Sequence, residues 1–150
     1  MPDVITADLV DLDLTATDRH EAARTLAARL AADGRLTDLD GFLADVAARE
    51  AQTPTGIEGG IGIPHARSVH VRVPTLAFGR SARGIDFGAE DGPADLVFLI
   101  AAPAGRDADH LTVLAALARR LVHASFTQAL RDATDPQAVV DLVTEEVLGG

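Results

Sequence analysis

The 150-residue sequence contains no cysteine, tryptophan or tyrosine, and each absence excludes something. Without cysteine the chain has no disulfide framework, no thiolate nucleophile and no thiolate-bound metal. Aromatic residues make up only 3% of the chain, and all of them are phenylalanine. Because 47% of the residues are nonetheless hydrophobic, we expect a core of aliphatic side chains, each contributing roughly 1.5–3 kcal/mol when buried.

Lysine is also absent, and basic charge as a whole is scarce. Thirteen arginines stand against 23 acidic residues, a net charge of −10, whereas nucleic-acid binding needs clustered basic charge. The amino-terminal residues MPDVITADLVDLDL lack the basic and apolar segments of a secretory signal. The longest apolar run, LVFLIAAPA at 96–104, is too short to span a bilayer. We therefore expect a soluble cytoplasmic protein with no nucleic-acid partner and no direct membrane insertion.

The first half of the chain predicts one short strand followed by two helices. Residues 10–14 alternate apolar and acidic side chains, as a half-buried strand does. Asp18 is placed to cap a helix that Gly34 ends. Thr37 with Asp40 is placed to open a second helix, which stops before a proline.

The second half predicts strands and then mostly helices. Valines at 69, 71 and 73 alternate with polar residues and favour a strand, and 85–87 is a short strand candidate. The apolar run at 96–102 is typical of a central strand buried on both faces. Helices are expected at about 108–122, from Ser125, and from Asp135 with Pro136 at the first position. The whole chain, 1–150, is thus predicted to be one α/β domain with a small sheet covered by helices.

A glycine-rich stretch precedes one histidine. Residues 56–67 read GIEGGIGIPHAR, with four glycines ahead of Pro64 and His65. A dinucleotide-binding loop needs a strand before the glycines and a helix after them, and the context here is the reverse. Two interpretations stay open: a glycine-rich turn beside which His65 is a bystander, or a seat in which Pro64 positions His65 while the glycines let another protein's backbone approach.

Two further residues could act together with His65. His110 lies in the first turn of a predicted helix, on its apolar face, and Arg49 closes the second helix. Imidazole is a good nucleophile for phosphorus near neutral pH because its reference pKa is about 6.5. Arginine and helix-start N–H groups bind phosphoryl oxygens. The three residues therefore suggest a phosphoryl-transfer site whose donor, without a nucleotide loop, would be another protein.

The residues alone leave structural alternatives open for both partners. His110 could equally satisfy its hydrogen bonds at the start of a helix. Arg49 could equally stabilise the negative end of a helix dipole.

The stretch DVAAREAQTPTGIEGGIGIPHARSVHV, followed downstream by DHLTVLAALARRL, resembles a known family. It is similar to the IIA domain, fructose–mannitol type (EIIA type 2), of the phosphoenolpyruvate-dependent sugar phosphotransferase system. The resemblance covers nearly the whole chain and implies a small mixed sheet flanked by helices. Relatives often have alanine where this chain has Gly62, a change expected mainly to loosen the loop.

The resemblance also implies roles for individual residues. It makes His65 the residue that is phosphorylated by the carrier HPr and that passes the phosphoryl group to a cysteine of a IIB domain. His110 and Arg49 match the supporting histidine and arginine beside the phosphate, and Thr55 matches a loop threonine that could contact it. The resemblance implies no cofactor and no metal, and it implies a IIC membrane domain, which selects the sugar, as a further member of the complex.

The sequence is accordingly identified as a protein-histidine phosphotransferase component for uptake and phosphorylation of a sugar, with fructose expected. The alternative is a regulatory, nitrogen-type IIA protein that signals to its partners through the phosphorylation state of His65.

Overall fold

The computed structural model describes residues 3–104 and 115–148 of the chain, which alternate between helices and strands. The helices are α1 (Arg19–Ala32), α2 (Leu39–Gln52), α3 (described over 115–121), α4 (Ala124–Asp132) and α5 (Pro136–Val143). The strands are β1 (Val10–Asp11), β2 (Gly56–Ile57), β3 (Ile61–Gly62), β4 (His65–Ser68), β5 (Thr75–Ile85) and β6 (Ala94–Pro103). A 3₁₀ turn (Ala7–Leu9) precedes β1, and a π turn (Thr144–Leu148) follows α5.

The helix starts follow from side-chain caps. Asp18 accepts a hydrogen bond from the Glu21 backbone N–H at 2.8 Å, as predicted, and Asp135 caps α5 with Pro136 in its first turn. The second helix starts differently from the prediction. Its cap is Asp38, which accepts from the Gly41 N–H at 3.2 Å, because an aspartate one residue after Thr37 reaches the exposed N–H groups of the first turn.

The sheet is mixed and is organised around β6. Its strand order is β1–β5–β6–β3–β2, and β4 also pairs with β6, beyond β3. The pairs β1–β5, β3–β6 and β4–β6 are parallel, whereas β5–β6 and β2–β3 are antiparallel. The predicted fold class, an α/β domain with a small mixed sheet flanked by helices, is confirmed.

Helices cover both faces of this sheet, and successive residues of β6 enter different cores. One core lies under α1 and α2 and includes Leu26 and Phe42; the other lies under α4 and α5 and includes Leu130 and Val139. From β6 the first core takes Val97, Leu99 and Ala101, and the second takes Leu96, Phe98 and Ile100. The prediction of a central strand buried on both faces is therefore confirmed, because side chains alternate along a strand.

The valine alternation at 69–73 does not form a strand. The strand β4 comes earlier, at 65–68, and residues 69 and 70 form a turn. The Ser68 hydroxyl accepts from the His70 backbone N–H at 3.1 Å and donates to Asp45 of α2 at 2.5 Å. This bond turns the chain, so that only Val71 pairs again, in an isolated bridge with Leu36. The first strand is likewise shorter than predicted, two residues instead of five.

Within residues 3–104 and 115–148, no helix combines the length and the apolar character needed to cross a membrane.

Candidate functional site

The glycine-rich stretch is a short β-hairpin. Strands β2 and β3 pair with Gly56 opposite Gly62, and residues 58–60 make the turn between them. Gly59 and Gly60 have φ angles of 96° and 78°. Glycine is the residue that adopts such left-handed backbone without steric cost. The turn therefore accounts for two of the four glycines.

The other two glycines, Gly56 and Gly62, let another segment of this chain come close. A Cβ atom added to Gly62 would lie 2.5 Å from Cδ2 of the buried Phe87, and one added to Gly56 would lie 2.7 Å from the Phe87 carbonyl oxygen. At these two positions the space is filled by the segment after β5, not kept for a partner. The expectation that Gly62 loosens the loop is wrong, because this glycine makes a tight packing contact possible.

The tip of the hairpin is held from outside by charged side chains. Arg131 of α4 donates to the Gly59 carbonyl oxygen and pairs with Asp95 at 2.8 Å, and Asp91 accepts from the Gly59 N–H at 3.0 Å. The hydrogen bond that the Arg131 guanidinium donates to Asp95 raises the pKa of Arg131 above its usual value. The turn is thus anchored to α4 and to the loop before β6.

Strand β4 places His65 directly after the hairpin. The Pro64 carbonyl accepts from the Ile100 N–H at 3.1 Å, and His65 is paired in register with Ile100 of the central strand. The ring nitrogen Nδ1 of His65 lies 2.8 Å from the Ile63 carbonyl oxygen. A carbonyl oxygen only accepts, so Nδ1 carries the proton. In the neutral ring, Nε2 therefore carries the lone pair.

His65 and Arg49 line one open cavity of about 390 Å³. Helix α2 contributes one face of its last two turns, and β4 contributes three consecutive residues. The full lining is Asp45, Ala48, Arg49, Gln52, His65, Ala66 and Arg67. His65 is half-buried, and Arg49 Nη1 donates to the Thr53 carbonyl at 2.9 Å. This bond satisfies a carbonyl beyond the helix end and holds the guanidinium stem in place.

A buried carboxylate organises the loop behind this cavity. Glu50 is 8% exposed and accepts from the Thr55 hydroxyl at 2.7 Å, from the Thr55 N–H at 2.8 Å and from Arg19 at 3.2 Å. The Thr55 carbonyl in turn accepts from the Ile63 N–H at 3.2 Å. Ile63 is the residue whose carbonyl holds His65. Hydrogen bonds thus connect α1, α2 and the loop to the orientation of the imidazole.

The structure brings two of the four predicted site residues to one cavity. These are His65 and Arg49. Thr55 is buried behind the cavity with its hydroxyl donated to Glu50, so its contact to a phosphate stays a prediction. His110 lies outside the residues that the structure describes.

Sequence reasoning missed Arg67 and Glu50. Arg67 could have been found from strand alternation, since it stands two positions after His65. Glu50 carries no such signal, because its partner Arg19 is 31 residues away.

The arrangement is suited to nucleophilic chemistry on an anionic group. The cavity offers an imidazole with a defined tautomer and two guanidinium groups, which bind phosphate and carboxylate oxygens as a planar fork. Among residues 3–104 and 115–148, no three histidine or acidic side chains are clustered as a metal site requires.

Comparison with known proteins gives a consistent picture of the sequence. Residues 3–146 match the family model described as phosphoenolpyruvate-dependent sugar phosphotransferase system, EIIA 2. The chain is 46% identical over 115 residues to the fructose-specific EIIA component of Haloferax volcanii, covering 76% of this chain and 75% of that protein. It is 33% identical over 144 residues to the fructose-specific EIIABC component of Bacillus subtilis, covering 95% of this chain but only 23% of that longer protein.

Solved structures agree on the fold. The nitrogen regulatory protein IIA-Ntr from Neisseria meningitidis superposes with a TM-score of 0.86 at 26% identity, covering 94% of this chain and 97% of that one. The IIA mannitol protein from Escherichia coli superposes with a TM-score of 0.78 at 26% identity, covering 93% and 98%. Because the family model matches residues 3–146 of this 150-residue chain, the chain belongs to the EIIA type 2 family of the phosphoenolpyruvate-dependent sugar phosphotransferase system.

Proposed function

We propose that this protein is a cytoplasmic phosphocarrier in which His65 accepts a phosphoryl group from phospho-HPr and passes it to a cysteine of a IIB domain. The whole chain, 1–150, acts as one EIIA unit in this proposal. The observation that carries it is the 2.8 Å hydrogen bond from His65 Nδ1 to the Ile63 carbonyl. That bond fixes the tautomer in which Nε2 is the nucleophile, inside a cavity that also holds Arg49.

The transfer step can be written with its electrons balanced. The Nε2 lone pair forms a new P–N bond, the P–N bond of the donor phosphohistidine breaks, and the donor nitrogen leaves with the electron pair. The His65 ring becomes cationic and keeps its Nδ1 proton, which the Ile63 carbonyl stabilises. In the second transfer a IIB thiolate attacks phosphorus and the imidazole leaves neutral.

Three further residues support the phosphoryl group in this proposal. Arg49 binds its oxygens from the end of α2, and the imidazole of His110 donates to another oxygen. Thr55 supports the loop through Glu50, and any direct contact to phosphate would require its hydroxyl to leave that carboxylate.

Fructose is the proposed sugar, because two related proteins that match over most of this chain are both named fructose-specific. A IIC membrane domain of the same complex would select the sugar. A complex of E. coli mannitol IIA with phosphorylated mannitol IIB superposes on this chain with a TM-score of 0.76 at 26% identity, which supports IIB as the acceptor.

A regulatory role is the second candidate. It is favoured by the superposition on the nitrogen regulatory IIA-Ntr protein at a TM-score of 0.86. In that case His65 still takes a phosphoryl group, and no IIB domain discharges it at a useful rate.

The test is reconstitution with purified enzyme I, HPr and phosphoenolpyruvate. We expect one acid-labile phosphoryl group per chain, lost in His65→Ala and kept in the matched variant His123→Ala. Arg49→Ala and His110→Ala should slow transfer about 100-fold, the scale for one group that stabilises transition-state charge, and both variants should remain folded. A chase with IIB then separates transport from regulation, and phosphate retained in His65→Ala would contradict the proposal.

A further inference from the structure

Arg67 stands on the same side of β4 as His65. Ala66 and Ser68 are buried, and Ser68 bonds to Asp45 of α2, so both turn toward the helix layer. His65 and Arg67 alternate with these buried residues along the strand. His65 is half-buried and Arg67 is exposed. Residues two apart on a strand are separated by about 6.6 Å. A guanidinium on its long stem therefore reaches a group attached to the neighbouring imidazole.

The charges around the cavity call for more than one cation. A phosphoryl group brings close to two negative charges. Helix α2 presents its C-terminal end here, equivalent to roughly half a negative charge, and Asp45 of the lining adds a carboxylate. Arg49 also shares its guanidinium with the Thr53 carbonyl. In a chain with a net charge of −10, two of the thirteen arginines lie at this one cavity.

We propose that Arg67 is a second phosphoryl-binding residue, whose guanidinium contacts oxygens of the group that forms on Nε2 of His65. The inference rests on the proposed phosphocarrier function for its biological setting. It assigns a chemical role that the sequence motif and the family membership did not supply.

Arg67 acts on the transferring group itself, so its effect does not require a protein donor. In the loose transition state of phosphoryl transfer, negative charge is spread over the three equatorial oxygens. A guanidinium within reach of them stabilises that charge, and its fork of donors suits two oxygens at once. A residue that only docked the partner protein would leave transfer from a small donor unchanged.

The experiment compares a small donor with the protein donor. Phosphoramidate phosphorylates imidazole directly: its P–N bond breaks, ammonia leaves with the electron pair, and Nε2 forms the new bond while Nδ1 keeps its proton. The rate of His65 phosphorylation is followed by ³¹P NMR in the unmodified protein, Arg67→Gln, Arg67→Lys and the control Arg72→Gln. Arg72 is an exposed arginine that does not line the cavity. The same four proteins are then assayed with phospho-HPr.

We expect Arg67→Gln to slow phosphorylation by about tenfold to 100-fold with both donors. Arg67→Lys should recover part of the rate, because it restores charge without the planar fork, and Arg72→Gln should match the unmodified protein. Equal phosphoramidate rates in the unmodified protein and Arg67→Gln would overturn the inference, even if phospho-HPr were slower. Labelling by phosphoramidate but not by phospho-HPr would instead contradict the phosphocarrier function and leave the Arg67 comparison valid.

Discussion

The backbone two residues before His65 sets which ring nitrogen of His65 carries the proton. The Ile63 carbonyl holds the proton on Nδ1 and thereby leaves the lone pair on Nε2. Ile63 is itself held by the Thr55 carbonyl, and Thr55 by the carboxylate of Glu50. At the scale of single residues, the site therefore depends on a buried acid that never touches the reacting atoms.

Replacing Glu50 by glutamine tests this dependence. The variant removes the charge facing Arg19 and sets an amide N–H₂ against one of the two donors of Thr55, the hydroxyl or the backbone N–H. A buried group left unsatisfied costs about 1–3 kcal/mol. We expect the free energy of unfolding in urea to fall by roughly that amount, together with slower phosphorylation of His65.

The matched control for this variant is Glu90→Gln, at an exposed glutamate. It should change neither the urea midpoint nor the phosphorylation rate. If Glu50→Gln were as stable and as active as this control, Glu50 would not organise the loop.

Part of this residue-scale picture could be predicted from sequence. Three features have signals within a few positions of the sequence: the proline directly before His65, the arginine at the end of a helix, and the Asp18 cap. Glu50 does not, because Arg19 reaches it only through the packing of α1 against α2, across 31 residues. A local sequence pattern therefore predicts groups that act on residues nearby in the chain, but not groups that tertiary packing brings together.

At the scale of elements, the β2–β3 hairpin is held in one position and thereby fixes where β4 begins. Its turn is fixed by two left-handed glycines and by Arg131, and its strands close against the segment that carries Phe87. Flexibility, which the glycine content suggested, is not what the glycines provide. Gly56 lets the backbone of Phe87 approach, and Gly62 lets the Phe87 ring approach, more closely than a residue with a Cβ atom would permit.

Substituting Gly62 by alanine tests this packing. Its Cβ would stand 2.5 Å from the ring of Phe87, a side chain that is only 1% exposed. Overpacking of a filled core costs about 1–3 kcal/mol, so we expect the urea midpoint to fall. A double-mutant cycle with Phe87→Leu, which shortens the side chain, should show a smaller loss for the pair than the sum of the two single losses. Additive losses would contradict the contact.

The elements also show where sequence patterns mislead. Valines at 69, 71 and 73 have the period of a strand, yet the strand is 65–68. The bond from Ser68 to Asp45 and the one from the His70 N–H to Ser68 turn the chain there. The bond to Asp45 depends on α2 lying beside β4, and the periodicity of the valines does not report that packing. The strand β6 was predicted correctly because a strand that is buried on both faces is apolar at nearly every position.

At the scale of the whole molecule, the electrostatics have two parts of opposite sign. The chain carries a net charge of −10, and the cavity at His65 has two arginines against one aspartate. In the proposed function, the overall field would steer a basic partner face toward the protein, and the local cations would accept the anionic group that the partner carries.

This division predicts different salt responses for two donors. The association rate with phospho-HPr should fall on the order of tenfold between low salt and 0.5 M NaCl, because steering is screened. The bimolecular rate with phosphoramidate, which has no docking face, should change much less. Stopped-flow transfer rates with phospho-HPr that stay constant across this range would contradict electrostatic steering.

We propose that the fold presents Nε2 of His65, and no other nitrogen, to phosphorus. The most direct measurement is ¹⁵N–³¹P correlation NMR on ¹⁵N-labelled protein phosphorylated by enzyme I, HPr and phosphoenolpyruvate. We predict a single coupling, from phosphorus to Nε2 of His65, with a proton retained on Nδ1. Phosphorus on Nδ1, on a different histidine, or absent from the protein altogether would contradict it.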